Sequence, residues 1–164
     1  MAVLVSETDT GAERGSAVGM ITLYHFCCEM DMRGIRTDGI TKGMVALQRQ
    51  IPSGTRKEVW QTVFDRGWQW LTYDGDHDRQ SWATNMTILT NRLEYRFTVE
   101  LPDGDADQLY DRNRLEERFP GSRTLFDGWP GSENWVVYRG NVSKYQLKKL
   151  EHWNGSGWEE VRIR

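Results

Sequence analysis

The chain has 164 residues, with 21 Lys and Arg against 24 Asp and Glu, a formal net charge of -3 and a pI near 5.7. That length suits one domain around a single core, and a mildly acidic chain with no basic block longer than a pair does not favour direct nucleic-acid binding. No segment nears the ~20 apolar residues of a membrane span, and nothing near the N-terminus joins basic residues to an apolar run, so no membrane partner is expected and a cytoplasmic location is.

Residues 1–19 are rich in Gly, Ser, Thr, Glu and Ala and show neither helical nor strand period. They read as a disordered leader, with Met20 as a start just ahead of one domain spanning 20–164. Ile21 to Phe26 is a β-type run that carries a lone His25 between Tyr24 and Phe26. Cys27 and Cys28 are neighbours, too strained as a disulfide, and read as reduced thiols of a cytosolic protein. Glu29 to Ile35 forms about two helical turns with Met32 and Ile35 on one face. Gly34 shortens that helix, and the turn Thr37-Asp38-Gly39-Ile40 follows. Thr41 to Arg56 sets Met44, Leu47 and Ile51 at spacings of three and four, but Pro52-Ser53-Gly54 cuts the pattern off and leaves an irregular crossing segment.

Trp68 to Thr72 alternates and is aromatic, a second strand ending in the turn Tyr73-Asp74-Gly75-Asp76. Asp74 to Thr87 is polar and loop-like, and Asp74-Gly75-Asp76-His77-Asp78 at its start reads as a mobile acidic lid. Its alternating Asp74, Asp76 and Asp78 do not make a calcium loop, because Arg79 and Asn85 stand where that loop needs glycine and glutamate. Arg92 to Leu101 is the clearest strand: Leu93, Tyr95, Phe97, Val99 and Leu101 alternate with Glu94, Arg96, Thr98 and Glu100, which predicts one wet face. Asp107 to Phe119 is a helical candidate stopped by Pro120-Gly121, and Asn134 to Arg139 is a strand. Lys148–His152 and Trp158–Ile163 flank Asn154-Gly155-Ser156-Gly157 as a terminal β-hairpin. The sum is an α+β single domain, mostly antiparallel strands with two or three short helices.

Motifs for common chemistries are missing. There is no Gly-x-Gly-x-x-Gly, Walker loop or Gly-x-Ser-x-Gly. His25 with Cys27 and Cys28 lacks the remaining ligands of a zinc site, and adjacent cysteines on a strand point to opposite faces, so no metal is expected. Read from the residues alone, His25 is a satisfied side chain of an apolar strand, Glu133 a solvated loop acid and Tyr73 the first residue of a turn. Trp68 and Trp70 read as core.

Four short pieces taken together change the weight on those residues. Tyr24-His25-Phe26, Trp70-Leu71-Thr72, Arg96 to Pro102 as Arg-x-Thr-Val-x-Leu-Pro, and Trp135-Val136-Val137-Tyr138 resemble a family of small bacterial and phage proteins with an ADP-ribosyltransferase-like domain, over residues 21–150. The resemblance implies NAD as cofactor and transfer of ADP-ribose to an acceptor, with His25, Tyr73 and Glu133 in the catalytic positions. In that pattern His25 holds the nicotinamide ribose, Tyr73 stacks on the nicotinamide, and Glu133 stabilises the positive charge that builds as the nicotinamide bond breaks. Tyr24 and Thr72 join His25 and Tyr73 in the implied cofactor set. Gly131-Ser132-Glu133-Asn134 stands where such enzymes carry Glu-x-Glu or Gln-x-Glu, so transfer to an amino-acid side chain of the usual kind is not implied.

The rival expectation is a catalytically silent protein, phage-encoded and directed at a host macromolecule such as a defence factor. It would present the acidic Asp74–Asp78 loop and exposed aromatics as its interface. Convergence of His25, Tyr73 and Glu133 on one cleft favours the enzyme, and their scatter favours the binder.

Overall fold

The computed structural model describes residues 18–52, 58–80 and 92–163. The expected leader, apart from Val18 and Gly19, and positions 81–87 of the expected polar loop lie outside the described residues.

Alternation dictates the frame. Leu23 and Cys27 of β1 (Met20–Cys27) are buried on one face, and that strand is followed by α1 (Glu29–Asp38), whose buried Met32 and Ile35 pack against them. Acidic Glu29 and Asp31 in the first turn of α1 and Arg36 in its last complement the helix dipole. Gly39 ends the helix with φ 81°, returning its N–H to the carbonyl of Ile35. Any side chain there would also begin 2.1 Å from the carbonyl oxygen of Val142, so glycine is required twice over.

The next segment corrects an expectation. Within the expected irregular segment Thr41 to Arg56, whose positions 53–56 lie outside the described residues, β2 (Met44–Pro52) is regular and pairs antiparallel with β3 (Glu58–Arg66) as a separate two-stranded sheet. The three-and-four spacing of its apolar residues misleads, because the period that decides burial is two. Val45 and Leu47 are buried, whereas Met44 is 42 % exposed.

The remaining strands are β4 (Trp68–Thr72), β5 (Tyr95–Pro102), β6 (Leu109–Tyr110), β7 (Trp135–Arg139), β8 (Leu147–Trp153) and β9 (Trp158–Val161). With β1 they form one antiparallel sheet in the order β6-β7-β4-β1-β5-β8-β9. Neighbouring residues of β4 and β7 leave on opposite faces. Leu71 and Val136 join Leu23, Phe97 and Val99 under α1, while Trp68, Trp135 and Val137 join Val45, Leu47, Leu115 and Phe126 on the far side. The large sheet is therefore a middle layer with a core on each face, the α+β class with mostly antiparallel strands that the sequence pattern predicts.

The helical candidate at Asp107–Phe119 is α-helical only over α2 (Arg112–Arg118). Asp111 caps it, its carboxylate accepting from the N–H of Arg114 at 2.8 Å, so the helix starts there and Leu109-Tyr110 is free to pair with β7. The terminal hairpin forms as expected, Asn154 Oδ1 accepting from the N–H groups of Ser156 and Gly157. Among the described residues no helix is long and apolar enough to cross a membrane.

Candidate functional site

β1 and β4 meet at a single register pair, Tyr24 opposite Thr72. By contrast β1 pairs with β5 along its whole length, from Met20 opposite Pro102 to Cys27 opposite Tyr95. Beyond Tyr24 the backbone ladder between β1 and β4 stops, and a side chain takes over: His25 Nδ1 lies 2.9 Å from the carbonyl oxygen of Trp70. A cleft of about 390 Å³ opens at this parting of the sheet.

Aromatic rings build its walls. Phe26 of β1, Trp70 of β4 and Trp135 of β7 line it with Trp129 and Leu125, and Trp70 stands edge-on to Trp135 with centroids 6.1 Å apart. The indole N–H of Trp70 donates to the carbonyl of Met44 at 3.1 Å, which fixes that ring's orientation from the second sheet. Polar groups in the lining are few: exposed Asp31 from the first turn of α1, half-buried Arg92, and buried Gln80 and Thr72.

His25 is the chemically informative member of the lining. A carbonyl oxygen can only accept, so the proton of the neutral imidazole must be on Nδ1, donating to Trp70, and Nε2 must carry the lone pair. Burial pushes the His25 pKa down, opposed by the hydrogen bond to Trp70 and by Asp31, and helped by Arg92. The ring is therefore neutral at physiological pH, and no described residue hydrogen-bonds to its Nε2. Cys27 lies alongside, its thiol free and its pKa pushed up by burial, so it is an inert thiol and not a nucleophile.

The cofactor positions implied by the resemblance divide. Tyr24, His25 and Thr72 line the cleft. Tyr73 does not: its N–H bonds to the carbonyl of Asn134 at 3.0 Å, and its side chain is 49 % exposed. Glu133 is exposed in the short 3-10 turn Ser132–Asn134 and is also outside the lining. The backbone thus brings Tyr73 and Glu133 to the same end of the paired strands β4 and β7, while His25 lines the cleft without them.

Among the cleft residues that sequence reasoning did not name as a site, Phe26, Trp70, Leu71 and Trp135 were visible as parts of the resembling motifs, whereas Asp31, Gln80, Arg92, Leu125 and Trp129 carry no local signal. They come together only through the docking of α1 and of the loops after Gly75 and Phe119.

A second, polar concavity of about 480 Å³ shares Tyr24 with the first and is lined by the 74–79 loop, Arg96, Trp153 and Trp158. The loop expected as an acidic lid is folded onto the sheet, with Arg96 bonded to its Gly75 carbonyl and His77 against Trp153. Asp74 pairs with Arg79, whose hydrogen bonds hold the Asp74 carboxyl below its usual range, and Asp74 and Asp76 accept from the N–H groups two residues on. His77 stacks on Trp153 with centroids 4.0 Å apart and planes within 7°. Arg96 reaches across from β5, its guanidinium 4.4 Å from the centroid of Trp158, paired with the buried Glu151 and donating to the carbonyl of Gly75. The face of β5 expected to be wet is thus covered at Arg96.

The chain matches no known family model, no curated protein and no solved structure.

Proposed function

We propose that this chain is a small-ligand-binding domain whose cleft takes a planar aromatic group, with NAD, entering by its nicotinamide end, as the first ligand to test. The observation that carries the reading is the free Nε2 acceptor of His25 inside an aromatic cleft of about 390 Å³. That size falls at the small end of ligand pockets, and a few polar groups in an apolar lining are what such pockets use to fix orientation.

The described residues fit the nicotinamide half of NAD better than its other half. Flat walls at Trp70 and Trp135 suit the ring, and Tyr24, His25 and Thr72 border it. For a pyrophosphate the lining offers one cation, Arg92, because Arg79 and Arg96 at the neighbouring concavity are taken up by Asp74 and Glu151. Transfer of ADP-ribose has less support than binding. Among the described residues Asp31 is the one carboxylate in the lining, and both Tyr73 and Glu133 stand outside it. The two free buried thiols accord with a cytoplasmic setting.

Thermal melting with millimolar NAD, and separately with nicotinamide, tests this. A ligand at ~100 times its dissociation constant adds roughly 2.7 kcal/mol, and the shift should disappear in His25→Ala. No shift with either compound overturns the reading.

The off-cleft position of Tyr73 and Glu133 favours one rival, a non-catalytic protein that binds a host macromolecule through its exposed aromatics. Tyr73 at 49 % and Trp129 at 40 % exposure are its candidate contacts. The acidic loop supports it less, since Asp74 and Asp76 turn onto Arg79.

A further inference from the structure

We propose that the cleft selects a neutral planar ligand bearing an N–H donor, a carboxamide or amino-substituted heteroaromatic ring, over the matching carboxylate, and that His25 is the residue that sets this choice. The inference rests on the ligand-binding reading and names its ligand class.

The argument starts from the parting of β1 and β4. Where the backbone ladder ends, the imidazole of His25 spans the gap and commits Nδ1–H to the carbonyl of Trp70 at 2.9 Å. The tautomer is thereby fixed by a group that cannot donate, and Nε2 is left as an acceptor with no partner among the described residues. A ligand in the cleft can satisfy that acceptor only with a donor. An amide or ring amine supplies one; a carboxylate brings a second lone pair to face the first. Leaving a desolvated acceptor against an acceptor forfeits the hydrogen bond and costs the desolvation of both groups, which is the asymmetry by which polar sites reject ligands lacking the matching group.

Charge around the cleft does not reverse this. Asp31 faces His25 from α1 and Arg92 faces it from ahead of β5, one of each sign, and the neighbouring Cys27 thiol is neutral. With the two formal charges opposed, the hydrogen-bonding character of Nε2 decides. Phe26, Trp70 and Trp135 accept any flat ring, so discrimination is confined to the substituent.

Nicotinamide and nicotinate make the test, since they share a ring and differ in the substituent alone. Calorimetric titration at neutral pH should show nicotinamide binding at least about tenfold more tightly. His25→Asn keeps an N–H donor for the Trp70 carbonyl, while its only acceptor, Oδ1, sits on a shorter side chain that does not reach the position of Nε2, so its melting temperature should stay near that of the unaltered protein while the preference shrinks. Should that variant not fold, titration of the unaltered protein with N,N-dimethylnicotinamide serves, because that amide keeps the ring and the neutral charge and lacks the N–H, so it should bind about as weakly as nicotinate. Equal affinities, or tighter nicotinate at neutral pH, overturn the inference and leave the binding reading standing. Binding of neither compound, with no melting shift from NAD, overturns both.

Discussion

Gly75 lies flat against the ring of Tyr24, so close that a side chain on it would begin 2.9 Å from Cζ of that tyrosine. Arg96, whose guanidinium lies over the same tyrosine ring 5.2 Å from its centroid, donates to the Gly75 carbonyl, so the loop is tied to both. Tyr24 also lines the cleft, which makes this crossing the partition between the two concavities. Gly75→Ala should therefore act on both. Overpacking of this kind costs about 1–3 kcal/mol, read as a lower urea midpoint with unchanged slope, and the melting shift produced by a cleft ligand should fall with it. Unchanged stability would show that the loop yields and that Tyr24 is not clamped.

The stack of His77 on Trp153 pins the far end of the same loop. His77→Ala removes a ring contact of the sort worth about 0.5–1.5 kcal/mol beyond the area it buries. Trp153 lies in β8 and the loop ends at Gln80, whose side-chain amide donates to the Asp74 carbonyl at 3.0 Å and which also borders the cleft. A drop of that size in unfolding free energy, together with a change in tryptophan emission, is the expected result. A change in emission without loss of stability would mean that the Asp74–Arg79 pair holds the loop alone.

Arg96→Met tests the buried charge beneath. Glu151 is 4 % exposed, and burial raises its pKa less than the hydrogen bonds from Lys149 and Arg96 lower it, so it is ionised in the fold. Removing one partner of a buried pair costs about 3–5 kcal/mol; Lys149, at 2.7 Å from Glu151, remains and should keep the loss near the lower end. The double variant with Glu151→Gln should recover part of it, since the uncompensated charge goes too. A double variant no better than the single would place the loss in the contacts of Arg96 with Trp158 and Tyr24.

The sequence made the large sheet readable wherever a strand has two unlike faces. Tyr95 to Leu101 alternates cleanly because one face is buried under α1, and Trp68 to Thr72 and Trp135 to Arg139 were caught by their aromatic and β-branched content. The β2 and β3 hairpin escaped because few of its residues are buried: Val45 and Leu47 point inward, Phe64 is 69 % exposed, and polar Gln48 and Thr62 bond across its outer face. A short inward set leaves no strong period, and Met44 and Ile51 happened to supply a helical one. The cleft was legible only at His25, Tyr24 and Thr72, which lie on the two strands that part. Asp31, Gln80 and Arg92 arrive from a helix and two chain segments whose placement is a tertiary fact, and nothing in their spacing announces it.

The protonation of His25 makes a last prediction, in which the sign can be followed step by step. Burial holds its pKa below the ordinary value of 6.5, so the folded chain refuses a proton that the unfolded chain binds. Above that value neither state is protonated and the group leaves stability independent of pH. As the pH falls below 6.5 the unfolded state gains the proton first, and stability declines until the folded pKa is reached. Glu151 acts lower: its carboxyl is held below 4.5, so its stabilisation is complete above that value and is lost only in more acid solution. Between 4.5 and 6.5 the two effects separate. In that window melting temperatures of the unaltered protein should fall with pH more steeply than those of His25→Asn, while the other two histidines, common to both, cancel in the comparison. Parallel profiles would mean that His25 takes up its proton as readily in the fold as in the unfolded chain, so that burial does not hold the imidazole neutral below 6.5.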